Sequence, residues 1–270
     1  MFSYIQVANL ACTETELQLT LAGTGSTVDA VRHAVYTFRR LLSDNYAVIP
    51  VDGNVIVKEP WMPTCALLVM PGGGDLGYCR TLNGDGNRRI RSYVEQGGAY
   101  FGFCAGAYYG SGRCEFEVGN KMLEVIGNRE LAFFPGICRG LAFPGFAYNS
   151  EVGARAAELE IFKSTLPLGA PPAVLRSYYN GGGVFVDAAS FHAAGVEILA
   201  SYTEPLKVEA GPEKAAVVYC KIGDGGVVLC NTHPEYVKRQ SYVRTVLMIH
   251  LGLQPSILIK AQSRLSTPGF

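Results

Sequence analysis

The chain lacks the features that would place it in a membrane or on a nucleic acid. Its 270 residues contain no run of 18 apolar residues, so the sequence predicts no transmembrane helix. Lysine plus arginine and aspartate plus glutamate both number 23, and this balance argues against nucleic acid or an anionic membrane as a partner. The first basic residue is Arg32, so the N-terminus also lacks the positive region of a secretory signal.

Metal-binding and phosphate-binding signatures are missing as well. The eight cysteines are scattered and form no Cys-x-x-Cys pair, which argues against a zinc ribbon. No Gly-Lys-Ser/Thr follows the glycines at Gly72–Gly74, so they are not a P-loop. Scattered cysteines, several of them in apolar runs, favour a reduced setting. We therefore expect a cytoplasmic protein that uses no metal and no cofactor.

What the chain does contain is an α/β pattern. Apolar residues make up 49% and glycine contributes 32 residues, which suits a buried core with many tight loops. Strands that alternate with helices predict a mostly parallel sheet with right-handed crossovers. The predicted strands are 17–21, 46–51, 66–70 and 99–103, the helices are 28–42, 85–96 and 236–251, and a hairpin joins 215–222 to 226–230.

Weak periodicity at both ends sets the expected domain boundaries. Residues 1–16 are predicted to be an N-terminal extension, 17–252 the folded domain and 253–270 a C-terminal tail. Residues 112–210 are less regular and are predicted to mix short strands with long loops.

The strongest chemical signal is a cysteine between two glycines. Gly102-Phe103-Cys104-Ala105-Gly106 follows an apolar strand and has the Gly-x-nucleophile-x-Gly form of a strand-to-helix elbow. At the start of a helix the positive end of the dipole favours a thiolate, so Cys104 is the candidate nucleophile. The alternative is a structural cysteine in a core strand, which suits the other seven better because they lack the flanking glycines.

Partners for this thiol follow a later strand. His233 is the candidate general base, and Glu235 is the candidate carboxylate that orients its imidazole. Without the cysteine, His-Pro-Glu would equally suit a strand end followed by a helix start, where proline and glutamate are common.

The glycines at Gly72–Gly74 follow a strand that should neighbour the elbow strand. The backbone N–H groups of Gly73 and Ala105 are predicted to form an oxyanion hole. The alternative is a tight connection between strand and helix with no chemical role. Asn180-Gly181-Gly182-Gly183 is similar in composition and is a weaker candidate.

Several motifs together resemble a known family. Pro71-Gly72-Gly73-Gly74, the Cys104 elbow and His233-Pro234-Glu235, in that order, look like class I glutamine amidotransferases. Longer stretches at 71–80, 102–111 and 178–187 are similar to the amidotransferase-like N-terminal domain of fungal biotin–protein ligases, over roughly residues 17–252.

The resemblance implies a flavodoxin-like three-layer α/β sandwich with Cys104, His233 and Glu235 as a triad. It does not imply biotin ligation, which in that family belongs to a separate C-terminal domain with a Gly-Arg-Gly-Arg loop that these 270 residues do not match. Glutamine amidotransferases also carry a glutamine shortly after the elbow and another two residues before the histidine. This chain has Ala107-Tyr108-Tyr109 and Asn231 there. The weaker substrate-binding candidates are Gly72, Gly74, Tyr108, Asn180 and Asn231.

Three functional hypotheses follow. The first is a cysteine-dependent amidase or hydrolase that acts on a small amide or acyl compound. The second is a non-catalytic module that regulates or binds a partner such as a biotin-dependent enzyme. The third is a glutaminase subunit that supplies ammonia to a separate synthase.

Overall fold

The computed structural model describes residues 4–9, 25–162, 174–237 and 241–253. The predicted strand at 17–21 and nearly all of the predicted tail lie outside these ranges. The six helices are α1 (Val28–Leu42), α2 (Gly53–Lys58), α3 (Asp75–Leu82), α4 (Asp85–Glu95), α5 (Ala105–Gly110) and α6 (Ser241–Ile249). The strands are β1 (Tyr4–Asn9), β2 (Tyr46–Val51), β3 (Cys65–Met70), β4 (Ala99–Phe103), β5 (Ser111–Phe116), β6 (Val125–Asn128), β7 (Phe134–Gly140), β8 (Arg155–Ile161), β9 (Val174–Tyr179), β10 (Gly183–Phe185), β11 (Val196–Tyr202), β12 (Ala215–Ile222) and β13 (Gly225–Cys230).

Local sequence signals account for several of these elements. The side chain of Thr27 accepts a hydrogen bond from the N–H of Ala30 and caps α1, as the sequence predicts. The strand prediction at 99–103 matches β4, and β12 and β13 form the predicted antiparallel hairpin. The predicted helix at 236–251 is shorter: a 3₁₀ turn covers Pro234–Tyr236, and α6 begins at Ser241.

The sheet is mixed rather than mostly parallel, so that prediction is wrong. Its main order is β2-β1-β3-β4-β13-β12-β10-β7-β5-β6, and β11, β8 and β9 branch from β12. Among the described strands only the pairs β3–β4, β4–β13 and β5–β7 are parallel, and the other nine pairs are antiparallel. Hairpins in the second half of the chain, such as β5–β6 and β12–β13, contribute to this difference, because short connections can join only antiparallel strands, and β1 adds two antiparallel pairs in the first half.

The segment expected to be an N-terminal extension contains Tyr4–Asn9, which forms β1 between β2 and β3. Tyr4, Ile5 and Val7 are fully buried, and Gln6 is 7% exposed. The side-chain amide of Gln6 donates to the hydroxyl of Thr64 at 3.2 Å. Because both faces of β1 are buried, the strand lacks the polar–apolar alternation that would reveal it in the sequence.

Helices cover both faces of the sheet. Along β3, Leu67 and Val69 pack with residues of α1 and α6, whereas Leu68 and Met70 pack with residues of α2 to α5. Successive strand residues point to opposite faces, so the two apolar clusters lie on either side of the sheet. Among the described residues, no helix is long and apolar enough to cross a membrane.

Candidate active site

The turn at Cys104 has the backbone of a strained elbow. Cys104 has φ +45° and ψ −100° and lies between β4 and α5. A Cβ on Gly102 would lie 2.5 Å from the carbonyl oxygen of Gly106, and a Cβ on Gly106 would collide with the carbonyl of Met70. The two flanking glycines are therefore required by close backbone approach, and the structure confirms the predicted elbow conformation.

His233 reaches the same place from the neighbouring strand. β13 runs parallel to β4, with Cys230 paired to Phe103, so the carboxyl ends of both strands lie side by side. The N–H of Cys104 donates to the carbonyl of Cys230 at 2.8 Å. The N–H of His233 donates to the carbonyl of Tyr178 at 2.7 Å and fixes the backbone that carries the imidazole.

Glu235 supports the imidazole from the buried side. Its Oε1 lies 2.8 Å from Nδ1 of His233, and the residue is 1% exposed. Burial alone would lower the pKa of His233, but the carboxylate of Glu235 and the sulfur of Cys104 outweigh it and raise that pKa well above its ordinary value. The three residues predicted as a triad are thus brought together, with the imidazole between the sulfur and the carboxylate.

The glycine turn after β3 faces the same thiol. The N–H of Gly74 donates to the carbonyl of Gly25 at 2.7 Å, and the carbonyl of Gly72 accepts from Thr27 at 3.1 Å. Gly73 has φ +149° and, like Ala105, lines the cavity described next. Ala105 is the first residue of α5, where a backbone N–H has no acceptor within the helix. The oxyanion hole remains a prediction with these two groups as its donors.

A cavity of about 980 Å³ opens in front of Cys104 and His233. Four of the weaker candidates line it: Gly72, Gly74, Tyr108 and Asn180. The hydroxyl of Tyr108 donates to the carbonyl of Gly181 at 3.3 Å, and the thiol of Cys104 lies 3.8 Å from the carbonyl of Asn180. The Asn180–Gly181 turn therefore lies beside the thiol of Cys104 and is held by the hydroxyl of Tyr108.

Asn231 has a different position from the one expected for a substrate-binding residue. It is fully buried, and its Oδ1 accepts from the N–H of Gly183 at 3.2 Å and from the thiol of Cys138 at 3.3 Å. It does not line the cavity. The Asn231 side chain thus connects the start of β10 to the segment that carries His233, and it supports the site by positioning this backbone.

Several other residues that line the cavity were not predicted from the sequence. Phe116, Phe146, Tyr148 and Glu151 come from the stretch predicted to be irregular, and Asp75 begins α3. Asp75 forms a buried ion pair with Arg129, whose Nη2 lies 2.6 Å from Oδ2. The aromatic content of 112–210 is the only available signal in the sequence, because these residues meet through tertiary contacts.

Comparison with known proteins places this site in a family. Residues 18–249 match the family model described as biotin–protein ligase, N terminal. The chain is 42% identical over 191 residues to the biotin–protein ligase of Schizosaccharomyces pombe, a match that covers 71% of this chain and 29% of the ligase. The chain therefore corresponds to less than a third of that relative.

Two further proteins are similar to this chain, one in sequence and one in fold. An uncharacterized protein of Chlamydia muridarum is 36% identical over 205 residues, which cover 75% of this chain and 73% of the relative. A crystal structure of a glutamine amidotransferase superposes with a TM-score of 0.52 at 18% identity, covering 82% of this chain and 94% of the other, which shows a shared fold. With the family match extending over most of its length, the chain belongs to the biotin–protein ligase N-terminal family.

Proposed function

We propose that the chain is a cysteine-dependent amide hydrolase with Cys104 as nucleophile. The observation that carries this proposal is that a strained cysteine elbow and a histidine with a raised pKa line one cavity, and that a buried carboxylate lies 2.8 Å from the imidazole. A buried cysteine of purely structural role needs neither the strain at Cys104 nor a polarised histidine beside it. A flavodoxin-like three-layer sandwich, the finer fold that we propose, would set both residues at the carboxyl ends of neighbouring strands.

The groups present can perform acyl transfer in two steps. His233 holds the proton taken from the thiol of Cys104, as its raised pKa favours, while the sulfur attacks the amide carbonyl, and the oxyanion that forms accepts hydrogen bonds from the N–H groups of Gly73 and Ala105. The C–N bond then breaks, the amine leaves with the proton from His233, and a thioester remains. His233 next removes a proton from water as it attacks the thioester, which releases the acid and restores the thiol.

The test is removal of the nucleophile. In Cys104→Ala we expect kcat/KM for amide hydrolysis to fall on the order of 10³-fold or more, because the covalent route is lost. Cys79→Ala is the matched control, since Cys79 is a half-buried free cysteine on α3 that does not line the cavity. A screen of amides, glutamine included, with ammonia or amine release as the readout, measures both variants against wild type.

Two outcomes would contradict the proposal. One is amide turnover that persists in Cys104→Ala. The other is iodoacetamide labelling of Cys104, followed by intact-mass spectrometry, that proceeds at the same rate in wild type and His233→Ala. Turnover of glutamine by the wild type would instead favour the glutaminase hypothesis.

A second candidate is a non-catalytic module that acts with a biotin-dependent protein. The likeness to part of a biotin–protein ligase favours it. It predicts no Cys104-dependent turnover of any amide, so the same experiment distinguishes the two candidates.

A further inference from the structure

The cavity is much larger than a short aliphatic amide requires. Its volume of about 980 Å³ lies near the top of the range for pockets that bury drug-sized ligands. A side chain as short as that of glutamine would contact only the part of the cavity nearest Cys104. The residues that line the cavity beyond Cys104 therefore restrict which chemical group the substrate carries next to its amide.

One end of the cavity is an aromatic corner formed by Phe116, Phe146 and Tyr148. The ring centroid of Phe146 lies 5.7 Å from that of Phe116 and 4.9 Å from that of Tyr148, with interplanar angles of 88° and 79°. Phe146 is half-buried and Tyr148 is 48% exposed, so neither ring is fully covered by the protein. Rings at right angles to one another offer a face and an edge to a third ring.

Another part of the wall is a ring stack formed by His33, Tyr236 and Tyr178. The ring of His33 lies 4.0 Å from that of Tyr236, which lies 4.9 Å from that of Tyr178, and the planes differ by 18° and 11°. Tyr178 also contacts the imidazole of His233 edge-on at 5.9 Å. His233 thus lies beside this ring stack, whose three members all line the cavity.

The positive charges next to the cavity are paired with carboxylates: Arg32 with Asp29 at 3.0 Å, and His233, whose pKa is raised, with Glu235 at 2.8 Å. Among the described residues that line the cavity are the carboxylates of Asp29, Asp75 and Glu151, and none of these lining residues is a lysine or arginine. The nearby Arg129 is only 7% exposed. Its Nε donates to Asp75, and its Nη1 donates to the carbonyls of Gly127 and Asn128. Arg129 is therefore paired with Asp75, and among the described residues Glu151 lines the cavity with no cationic partner, so an anionic group on a substrate would meet an excess of negative charge.

From these walls we infer that the substrate is an amide whose acyl group carries an aromatic or similarly flat apolar ring and no negative charge. The ring lies in the aromatic corner while the carbonyl reaches Cys104. This inference rests on the proposed function for the position of the carbonyl, but the preference for the ring is a binding property. It also predicts that free glutamine, which has an α-carboxylate and no ring, binds less tightly than an uncharged aromatic amide.

The test measures binding to Cys104→Ala, which does not depend on turnover. Isothermal titration uses phenylacetamide, propionamide and 4-carboxyphenylacetamide as probes. We expect phenylacetamide to bind at least about tenfold more tightly than either of the other two, a difference of about 1.4 kcal/mol, because propionamide lacks the ring and 4-carboxyphenylacetamide adds a negative charge.

Variants that each lack one aromatic ring test whether the aromatic corner causes the preference for phenylacetamide. In the Cys104→Ala background, Phe146→Ala and Tyr148→Ala are expected to reduce the phenylacetamide-to-propionamide affinity ratio by about fivefold or more. Tyr36→Ala is the matched control, because Tyr36 is 61% exposed on α1 and does not line the cavity. Circular dichroism of each variant verifies the fold.

Equal affinity for the three probes, tighter binding of the carboxylate, no binding at all, or a ratio that Tyr148→Ala and Phe146→Ala leave unchanged would each overturn the inference. The two proposals fail separately. Ring preference in Cys104→Ala without Cys104-dependent turnover in the wild type would remove the proposed hydrolase and leave the ring preference. Cys104-dependent turnover confined to anionic amides would do the reverse.

Discussion

At the scale of single residues, Cys104 is held in a conformation that costs free energy. A non-glycine residue at φ +45° and ψ −100° lies outside the usual allowed regions, at a cost of about 1–3 kcal/mol. The hydrogen bond from its N–H to Cys230 and the two flanking glycines maintain it. Strain of this kind is found where the fold fixes the direction of a side chain, and here it directs the thiol of Cys104 toward the cavity that His233 lines.

The pair His233–Glu235 gives a prediction on pH. Because the pKa of His233 is higher in the folded chain than in the unfolded chain, protonation of its imidazole favours folding. That stabilisation is complete below the unfolded value of about 6.5 and disappears as the pH rises through the folded value. Glu235→Gln removes the carboxylate and should lower the pKa of His233. It should therefore destabilise the protein more at pH 6 than at pH 9.

Urea unfolding at the two pH values measures the stability difference, and proton NMR of the imidazole measures the pKa. An equal loss of stability at both pH values, with an unchanged His233 titration, would show that the carboxylate does not control the imidazole.

At the scale of elements, the carboxyl ends of three adjacent parallel strands carry the residues of the site. β3, β4 and β13 pair in register, with Met70 opposite Gly102 and Phe103 opposite Cys230. Each strand ends in the residues that face the cavity: the glycine turn after β3, Cys104 after β4 and His233 after β13. Parallel strands that end together therefore bring three distant segments within contact distance.

Alanine substitutions of two glycines in the turn after β3 test whether this turn positions His233. A Cβ on Gly72 would lie 2.5 Å from Cε1 of His233, whereas a Cβ on Gly74 would meet no atom within 4 Å, and neither glycine has a left-handed φ. Gly72→Ala must displace the imidazole. We expect it to lower kcat for the amide that wild type turns over by about 10- to 100-fold more than Gly74→Ala does.

Thermal unfolding of both alanine variants controls for loss of the folded state. Comparable kcat values in the two variants would mean that the contact between Gly72 and His233 does not position the imidazole.

At the scale of the whole molecule, the first strand holds the sheet together. β1 pairs with β2 on one side and with β3, the strand that leads to the glycine turn, on the other. Its Tyr4, Ile5 and Val7 are fully buried. The N-terminal segment is therefore an interior part of the α/β domain, and its removal would expose two strand edges at once.

A chain that lacks residues 1–9 is expected to lose its cooperative thermal transition. Burial of each large apolar side chain is worth about 1.5–3 kcal/mol, so three of them approach the whole stability of a typical domain, about 5–15 kcal/mol. Ile5→Ala should instead cost about 2–5 kcal/mol and leave the chain folded but with a lower melting temperature. Calorimetry compares both with wild type, and an unaltered transition in the truncated chain would contradict the expectation.

The sequence by itself determined the features that depend on neighbouring residues. The glycines around Cys104, the cap at Thr27 and the apolar strand at 99–103 are local requirements of sterics and hydrogen bonding, and adjacent residues display them. Tertiary structure alone decided the rest: β1 beside β3, the long-range antiparallel pairs such as β7 with β10, the burial of Asn231 and the aromatic walls of the cavity. These features depend on pairs such as Ile5 and Val69, or Tyr178 and Tyr236, which meet only in the folded chain and leave no pattern between neighbours in the sequence.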